Sequence, residues 1–307
     1  SPSELHSFAP SGVLRRDPRV AVRRDTREAS MFAVARAALG VLLLSTPAIA
    51  HSQGGGSGAA PKTLVVILAH ADDEAPVGPI LARYAREGVH VYMISASDGS
   101  QGAGQQGHIQ RPDSISPGED LARARADEAR CAAQTLGIQP PILLGFPDGK
   151  LGDYIGDRSL MYRLTQRIAE ELEKLHPDAM VTWGPDGGVG HPDHRLVSNV
   201  VTQLSRYGAP GVPERLYYMY LPVEAIRAMN PQRGEPPLLI PQAKYFTVRV
   251  PFTPEDLQAA ERSMLCHKTQ VTPEAAQRVL PATARAWNGA ISLIPAFVTA
   301  PGTDLFR

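Results

Sequence analysis

Cysteine is scarce in this chain. Only 2 occur in 307 residues, Cys131 and Cys266, and neither belongs to a CxxC pair. That excludes a disulfide-framework fold and a cysteine-built metal cluster. Both fall in helical patterns and read as small buried apolar side chains, with a single bridge between them as the open alternative. An excess of either charge is also missing, with 31 basic residues against 31 acidic ones. No general basic field is present to recruit nucleic acid as the main partner. Long hydrophobic runs are lacking too. Ala37–Leu44 is apolar but too short for a stable membrane span.

That short run has a different meaning. Met31 opens a segment with Arg36 near its start, Ala37–Leu44 as its apolar centre, and Ala48-Ile49-Ala50 before His51. This is the pattern of a cleavable secretory signal over about 31–50. Residues 1–30 are polar and Arg-rich, and are expected to be upstream sequence that does not fold. Residues 51–60, with Gly54-Gly55-Gly56, read as a flexible linker. The folded domain is therefore expected over 61–307, in a secreted or periplasmic protein.

Within that domain apolar runs alternate with helical patterns. Leu64–Ala69, Val89–Ile94, Ile142–Leu144, Ala179–Trp183, Leu216–Tyr220 and Tyr245–Val250 read as strands. Helices are expected from about Pro76 to Gly88, over Glu119–Leu136, Leu160–Leu175, His194–Arg206 and Pro254–Cys266. The alternation predicts an α/β fold, a Rossmann-like three-layer αβα sandwich with a mostly parallel central sheet. Ser95–Gly118 reads as a long Gly/Ser/Gln-rich loop, and the proline-dense stretch after Leu221 as loop-rich. Right-handed crossovers bring the C-terminal ends of parallel strands to one edge. Loops carrying His70, Asp98, Asp148 and His194 all leave from that edge.

Two polar runs stand at strand ends. His70-Ala71-Asp72-Asp73-Glu74 follows the first strand, and His191-Pro192-Asp193-His194 follows Ala179–Trp183 after a glycine-rich turn. Imidazole nitrogen plus carboxylate oxygen is the donor mix of a hydrolytic zinc site, which uses three protein ligands and one open position. Such a metal lowers the pKa of water and polarises a carbonyl. His70, Asp73 and His194 supply the ligand set, and Asp72 stands beside it as general base. His191, as a cation, is placed to stabilise an oxyanion or protonate a leaving amine. Glu74 is expected to support a ligand or a helix start. Aspartates at a helix start also serve as caps, and loop histidines can be merely solvated. Two such runs, each after a strand, favour the site. Iron or manganese would suit the same donors.

These residues resemble the motifs of the PIG-L/LmbE-type zinc N-deacetylases. The family's first motif reads His-Pro-Asp-Asp-Glu, here with Ala71 in place of proline, and its second reads His-Pro-Asp-His, complete here. Ser97-Asp98-Gly99, Arg125 with Glu128, Phe146-Pro147-Asp148-Gly149, and His267 with Gln270 match further family positions. The resemblance covers roughly Lys62 to Gln270. It implies zinc on His70, Asp73 and His194, Asp72 as base, and His191 as acid or oxyanion partner. Arg125, and more weakly Asp98, become substrate-contact candidates, with Asp148 and His267 near the site. The bland alternatives are a surface ion pair for Arg125/Glu128, a turn-holding role for Asp148 and a satisfied helix histidine at 267. Some members carry a tyrosine two residues before the second motif, where this chain has Val189.

The implied activity is removal of an acetyl group from an N-acetylglucosamine derivative or a related amide. The alternatives are a zinc amidase acting on a thiol-conjugate or antibiotic-like amide, and a metal-dependent carbohydrate-binding protein without turnover. The expected partner is a small-molecule amide or N-acetyl sugar, with no nucleic acid and no membrane span.

Overall fold

The computed structural model describes residues 60–101, 115–188, 190–229 and 241–307. All of them fall in one compact unit, Ser57–Arg307. The expected signal segment, nearly all of the expected linker, residues 102–114 of the expected long loop, Val189 and most of the proline-dense stretch lie outside the described residues.

The first strand, β1 (Thr63–Leu68), is central. From Leu64 to Leu68 every side chain is fully buried, so the run is continuously apolar. Strand pleating sends Leu64, Val66 and Leu68 into one core and Val65 and Ile67 into the other. Beside β1 lie β2 (His90–Ser97) and then β3 (Ile142–Phe146), all parallel. On its other side lie β4 (Ala179–Trp183) and β5 (Leu216–Met219), also parallel. The sheet is completed by β6 (Val248–Pro251) and β7 (Ala290–Pro295), both pairing antiparallel. The full order is β3-β2-β1-β4-β5-β7-β6. This is a three-layer αβα sandwich with a mostly parallel sheet.

Helices cover both faces. On one are α1 (Gly78–Arg86), α2 (Glu119–Leu136) and α6 (Pro254–Met264). On the other are α3 (Arg158–Leu175) and α4 (Pro192–Arg206). Two further helices are α5 (Val223–Met229) and α7 (Pro273–Trp287). Local chemistry sets their ends. Gly137 closes α2 with φ 74, in the left-handed region that glycine tolerates. Asp157 caps α3 by accepting from Ser159 N and Leu160 N. Among the described residues no helix is long and apolar enough to cross a membrane.

The strand order reverses direction between β1 and β4. Open α/β sheets bind ligands outside the carboxyl ends of strands at such a switch point. The two polar runs follow β1 and β4, so topology alone brings residues 70–74 and 191–194 to one crevice.

Three expectations need correction. Ser95–Ser97 belong to β2, not to the long loop. The stretch after Leu221 opens with a helix, α5. The cysteines are not free apolar fillers. Cys131 and Cys266 form a disulfide with Cα atoms 5.8 Å apart, joining α2 to the segment after α6 across 135 residues. A loop that long is where cross-linking removes the most chain entropy from the unfolded state.

Candidate active site

The turn after β1 is built by its own carboxylate. Asp73 Oδ2 accepts from Ala69 N at 3.1 Å and from His70 N at 2.8 Å. That leaves Asp73 Oδ1 facing His194 Nε2 at 3.2 Å. His194 lies in the first turn of α4, and His191 is its N-cap, its Nδ1 accepting from Asp193 N. The loop between β4 and α4 needs its glycines. At Gly187, with φ 79, a Cβ would sit 2.6 Å from the His191 carbonyl oxygen. At Gly188, with φ 67, it would sit 2.4 Å from the Trp183 ring. The Trp183 ring in turn stacks on His194 at 4.6 Å and 7°.

His70, Asp73 and His194 converge. His70 Nδ1 lies 3.0 Å from His194 Nε2 and 3.4 Å from Asp73 Oδ2. A tetrahedral ion with bonds of about 2.0–2.1 Å holds its ligand atoms about 3.3 Å apart. The far side of each ring decides its tautomer. His194 Nδ1 lies 3.0 Å from the Gly187 carbonyl oxygen, so it carries the proton. His70 Nε2 lies 3.2 Å from Asp148 Oδ1 and 3.5 Å from Asp193 Oδ2, so it carries its own. These tautomers are assigned from the hydrogen-bond network. They leave His70 Nδ1 and His194 Nε2 facing each other at 3.0 Å beside a carboxylate, where a proton on His70 Nδ1 joins the two rings and a metal cation can take that proton's place. Ligating histidines commonly give their other N–H to a carboxylate or backbone carbonyl in this way. The site therefore fits a divalent metal.

Other groupings exist among the described residues. His70, His191 and His194 bring ligand atoms within 4.8 Å of one another, as do His70, Asp148 and Asp193. The second grouping is better explained as support for His70, because both carboxylates are engaged elsewhere. Asp193 accepts from Gly149 N and Gly152 N, and Asp148 from Gln101 N and Arg125 Nη1. In the first grouping His191 is the weaker donor, since its Nδ1 already accepts the cap bond.

The charges follow from this packing. Burial opposes the cation at His70, but Asp73 and the hydrogen bonds to Asp148 and Asp193 outweigh it and raise its pKa. Burial likewise opposes the Asp73 anion, yet His194 and His70 hold its pKa well below the usual range. Asp148 is held at about 2, burial being overcome by His70 and Arg125. Arg125 Nη2 donates to Asp72 Oδ1 at 2.8 Å and keeps that carboxyl ionised against its own burial. His191 goes the other way. Burial, with His70 and His194 alongside, lowers its pKa. The expected His191 cation is therefore disfavoured at neutral pH, and the neutral ring carries its proton on Nε2.

The remaining candidates take supporting positions. Arg125 is buried, and its guanidinium is occupied by Asp72, Asp148 and the Gly99 carbonyl. It is not the surface partner of Glu128, which instead accepts from Thr269 N and Oγ1. Asp98 Oδ1 accepts from Ser100 N and Asp148 N, so it builds the turn that carries Asp148. His267 Nε2 pairs with Glu74 Oε1 at 2.9 Å in the interior. Sequence reasoning gave no role to Asp193 or Trp183. Asp193 sat inside the second motif, and only its spacing from His194 could have flagged it.

The His267–Glu74 pair predicts a pH dependence of stability. Burial opposes the charge on His267, but Glu74 raises its pKa from 6.5 to about 9. Asp72 and Glu128 also face it and act in the same direction. A raised histidine stabilises fully below the unfolded pKa and ceases to as pH rises through the folded one. Unfolding free energy is expected to fall by on the order of 3 kcal/mol between pH 6 and pH 10 through this group. Urea titrations of wild type and His267→Gln check this. Equal slopes with pH in the two proteins would refute it.

Fold and site thus define an α/β protein with a buried His/Asp cluster, able to hold a metal ion, at a sheet switch point. Residues 65–205 match the family described as PIG-L: GlcNAc-PI de-N-acetylase, so this part of the chain is a domain similar to that family. A 1D-myo-inositol 2-acetamido-2-deoxy-alpha-D-glucopyranoside deacetylase from Catenulispora acidiphila is 28% identical over 258 residues, covering 72% of this chain and 83% of that protein. The N,N'-diacetylchitobiose deacetylase of Pyrococcus horikoshii shares the fold, with TM-score 0.55 and 16% identity over 78% of this chain and 87% of that one. The 4-carboxy-2-hydroxymuconate hydratase of Pseudomonas putida shares it too, with TM-score 0.50 and 16% identity over 78% of this chain and 98% of that one. The fold alone therefore does not fix the reaction.

Proposed function

We propose that this protein is a zinc-dependent deacetylase that hydrolyses the N-acetyl group of an N-acetylglucosamine derivative. The observation that carries the reading is the convergence of His70 Nδ1 and His194 Nε2, 3.0 Å apart, on Asp73, next to an ionised Asp72. Similarity to that family and the inositol-linked sugar named for the C. acidiphila relative support the substrate class.

His70, Asp73 and His194 would hold the metal. A divalent ion there supplies Lewis acidity toward an acyl oxygen and a water. Asp72 takes the proton of the attacking water at Oδ2, while Arg125 fixes Oδ1 and keeps the group anionic. Neutral His191 donates from Nε2 to the oxygen that gains charge, and its place as N-cap of α4 fixes the direction of that donor. Asp148, Asp193 and the Gly187 carbonyl hold the two histidine ligands in the required tautomers.

The test is a panel of N-acetyl sugars, including an inositol-linked N-acetylglucosamine, given to metal-reconstituted protein. Equimolar acetate and primary amine support the reading. Metal binding without either product on any substrate favours the non-catalytic binding protein. Parallel loading with zinc, iron(II) and manganese identifies the ion.

We infer export as well. The signal-like segment and the Cys131–Cys266 disulfide support it, since such bonds persist in oxidising compartments. N-terminal sequencing of protein from the producing cells should give a start near His51. An intact residue 31–50 segment in the soluble cytosolic fraction would refute it.

A further inference from the structure

The first polar run is gripped from behind by a second set of contacts. Arg125, Glu128 and Cys131 recur every three residues on α2 and form one stripe. Arg125 binds Asp72 and Asp148. Glu128 accepts two hydrogen bonds from Thr269, both at 2.7 Å. Cys131 is bonded covalently to Cys266. The short segment after α6 is thereby fixed to α2 on either side of His267. That segment delivers His267 to Glu74, with residue exposures of 2% and 0%.

Glu74 depends on that delivery. Its Oε1 meets His267, and its Oε2 has no hydrogen-bond partner among the described residues. Glu74 directly follows Asp73, and its carbonyl accepts from Val77 N at 3.0 Å within the same turn. A buried carboxylate deprived of its partner charge is strongly destabilising where it stands. The turn must then move or open to water. Either displacement disturbs Asp73, whose Oδ2 holds the backbone of the turn and whose Oδ1 faces His194.

We propose that His267 is a positioning residue for the metal-binding turn, acting through Glu74, and that the Cys131–Cys266 disulfide fixes its place. The proposal rests on the metal-site reading above. The anchor is the cysteine pair, which lies outside both polar motifs.

The test measures metal dissociation constants by chelator competition, with kcat and KM separately, at 25 °C. Three variants are compared with wild type: His267→Ala, His267→Gln and Cys131→Ser. His267→Ala is expected to weaken metal binding roughly ten-fold, the lower end for groups that orient ligands. Its kcat falls while KM changes little. His267→Gln restores a donor to Glu74 and recovers most of the loss. Cys131→Ser falls between wild type and His267→Ala. If His267→Ala does not fold, His267→Asn, whose shorter amide does not reach Glu74, takes its place. Wild-type metal affinity and kcat in the folded Ala or Asn variant, with only the melting temperature lowered, overturns the positioning role. The same result in folded Cys131→Ser overturns the anchoring role. Wild-type protein that binds no metal overturns instead the site reading on which both rest.

Discussion

Replacing His194 with alanine is expected to abolish metal binding and lower kcat/KM by at least about 10³-fold, because three decades correspond to about 4 kcal/mol of transition-state stabilisation and a metal supplies several. The reason is geometric. His194 Nε2 lies 3.0 Å from His70 Nδ1 and 3.2 Å from Asp73 Oδ1, so it closes the ligand set. No neighbour replaces it. Asp148 and Asp193 lie on the Nε2 side of His70, and His191 Nδ1 is used in capping α4. The fold should survive, since β4 and the apolar face of α4 are untouched. Loss of the Trp183 stack costs about 1 kcal/mol. Circular dichroism and metal analysis of the purified variant check both halves. Retained metal and activity would show that the ligands lie elsewhere.

The Asp72→Asn variant should separate catalysis from binding. It is expected to keep its metal while kcat falls by roughly 10²–10⁴-fold, the usual contribution of a general base. Asparagine keeps an oxygen for the Arg125 guanidinium, so the turn remains in place. What it loses is the site that accepts a proton. The base must be ionised to work, and Arg125 holds Asp72 below its ordinary pKa of 3.8 although burial opposes this. The wild-type rate should therefore hold through mildly acidic pH without an Asp72-dependent fall. A variant with unchanged kcat would remove Asp72 from the mechanism. A wild type that binds sugar and metal but never yields product would place the protein among binding modules.

Much of the crevice was legible from local signals. Leu64–Ala69 reads as a strand because it is apolar without interruption, and the structure buries its strand residues on both faces. Glu119–Leu136 and Ala179–Trp183 are found with the boundaries expected from pattern. The two polar runs meet because parallel strands end at one edge, which depends on topology more than on side-chain detail. Other parts were not legible. The α7 helix carries an internal Pro281, and β7 is a short run ending in Pro295. The place of β7 between β5 and β6 comes from antiparallel pairing across the chain, such as Tyr217 with Pro295, which no local period encodes. The partners of the ligands were legible only in part. Asp148 is expected near the site, but its contact with His70, and those of Asp193 and the Gly187 carbonyl with His70 and His194, form only when three loops meet. The bridge between Cys131 and Cys266 likewise needs α2 and α6 side by side.

The central claim is that the opposed faces of His70 and His194 beside Asp73 hold a metal needed for amide hydrolysis. The most direct measurement titrates zinc into chelator-stripped protein while following acetate release from an N-acetylglucosamine derivative. The account predicts no acetate from the stripped protein, activity rising to a plateau at one ion per chain, and no response in His194→Ala. Full acetate release from stripped protein, or an equal response in His194→Ala, would contradict it.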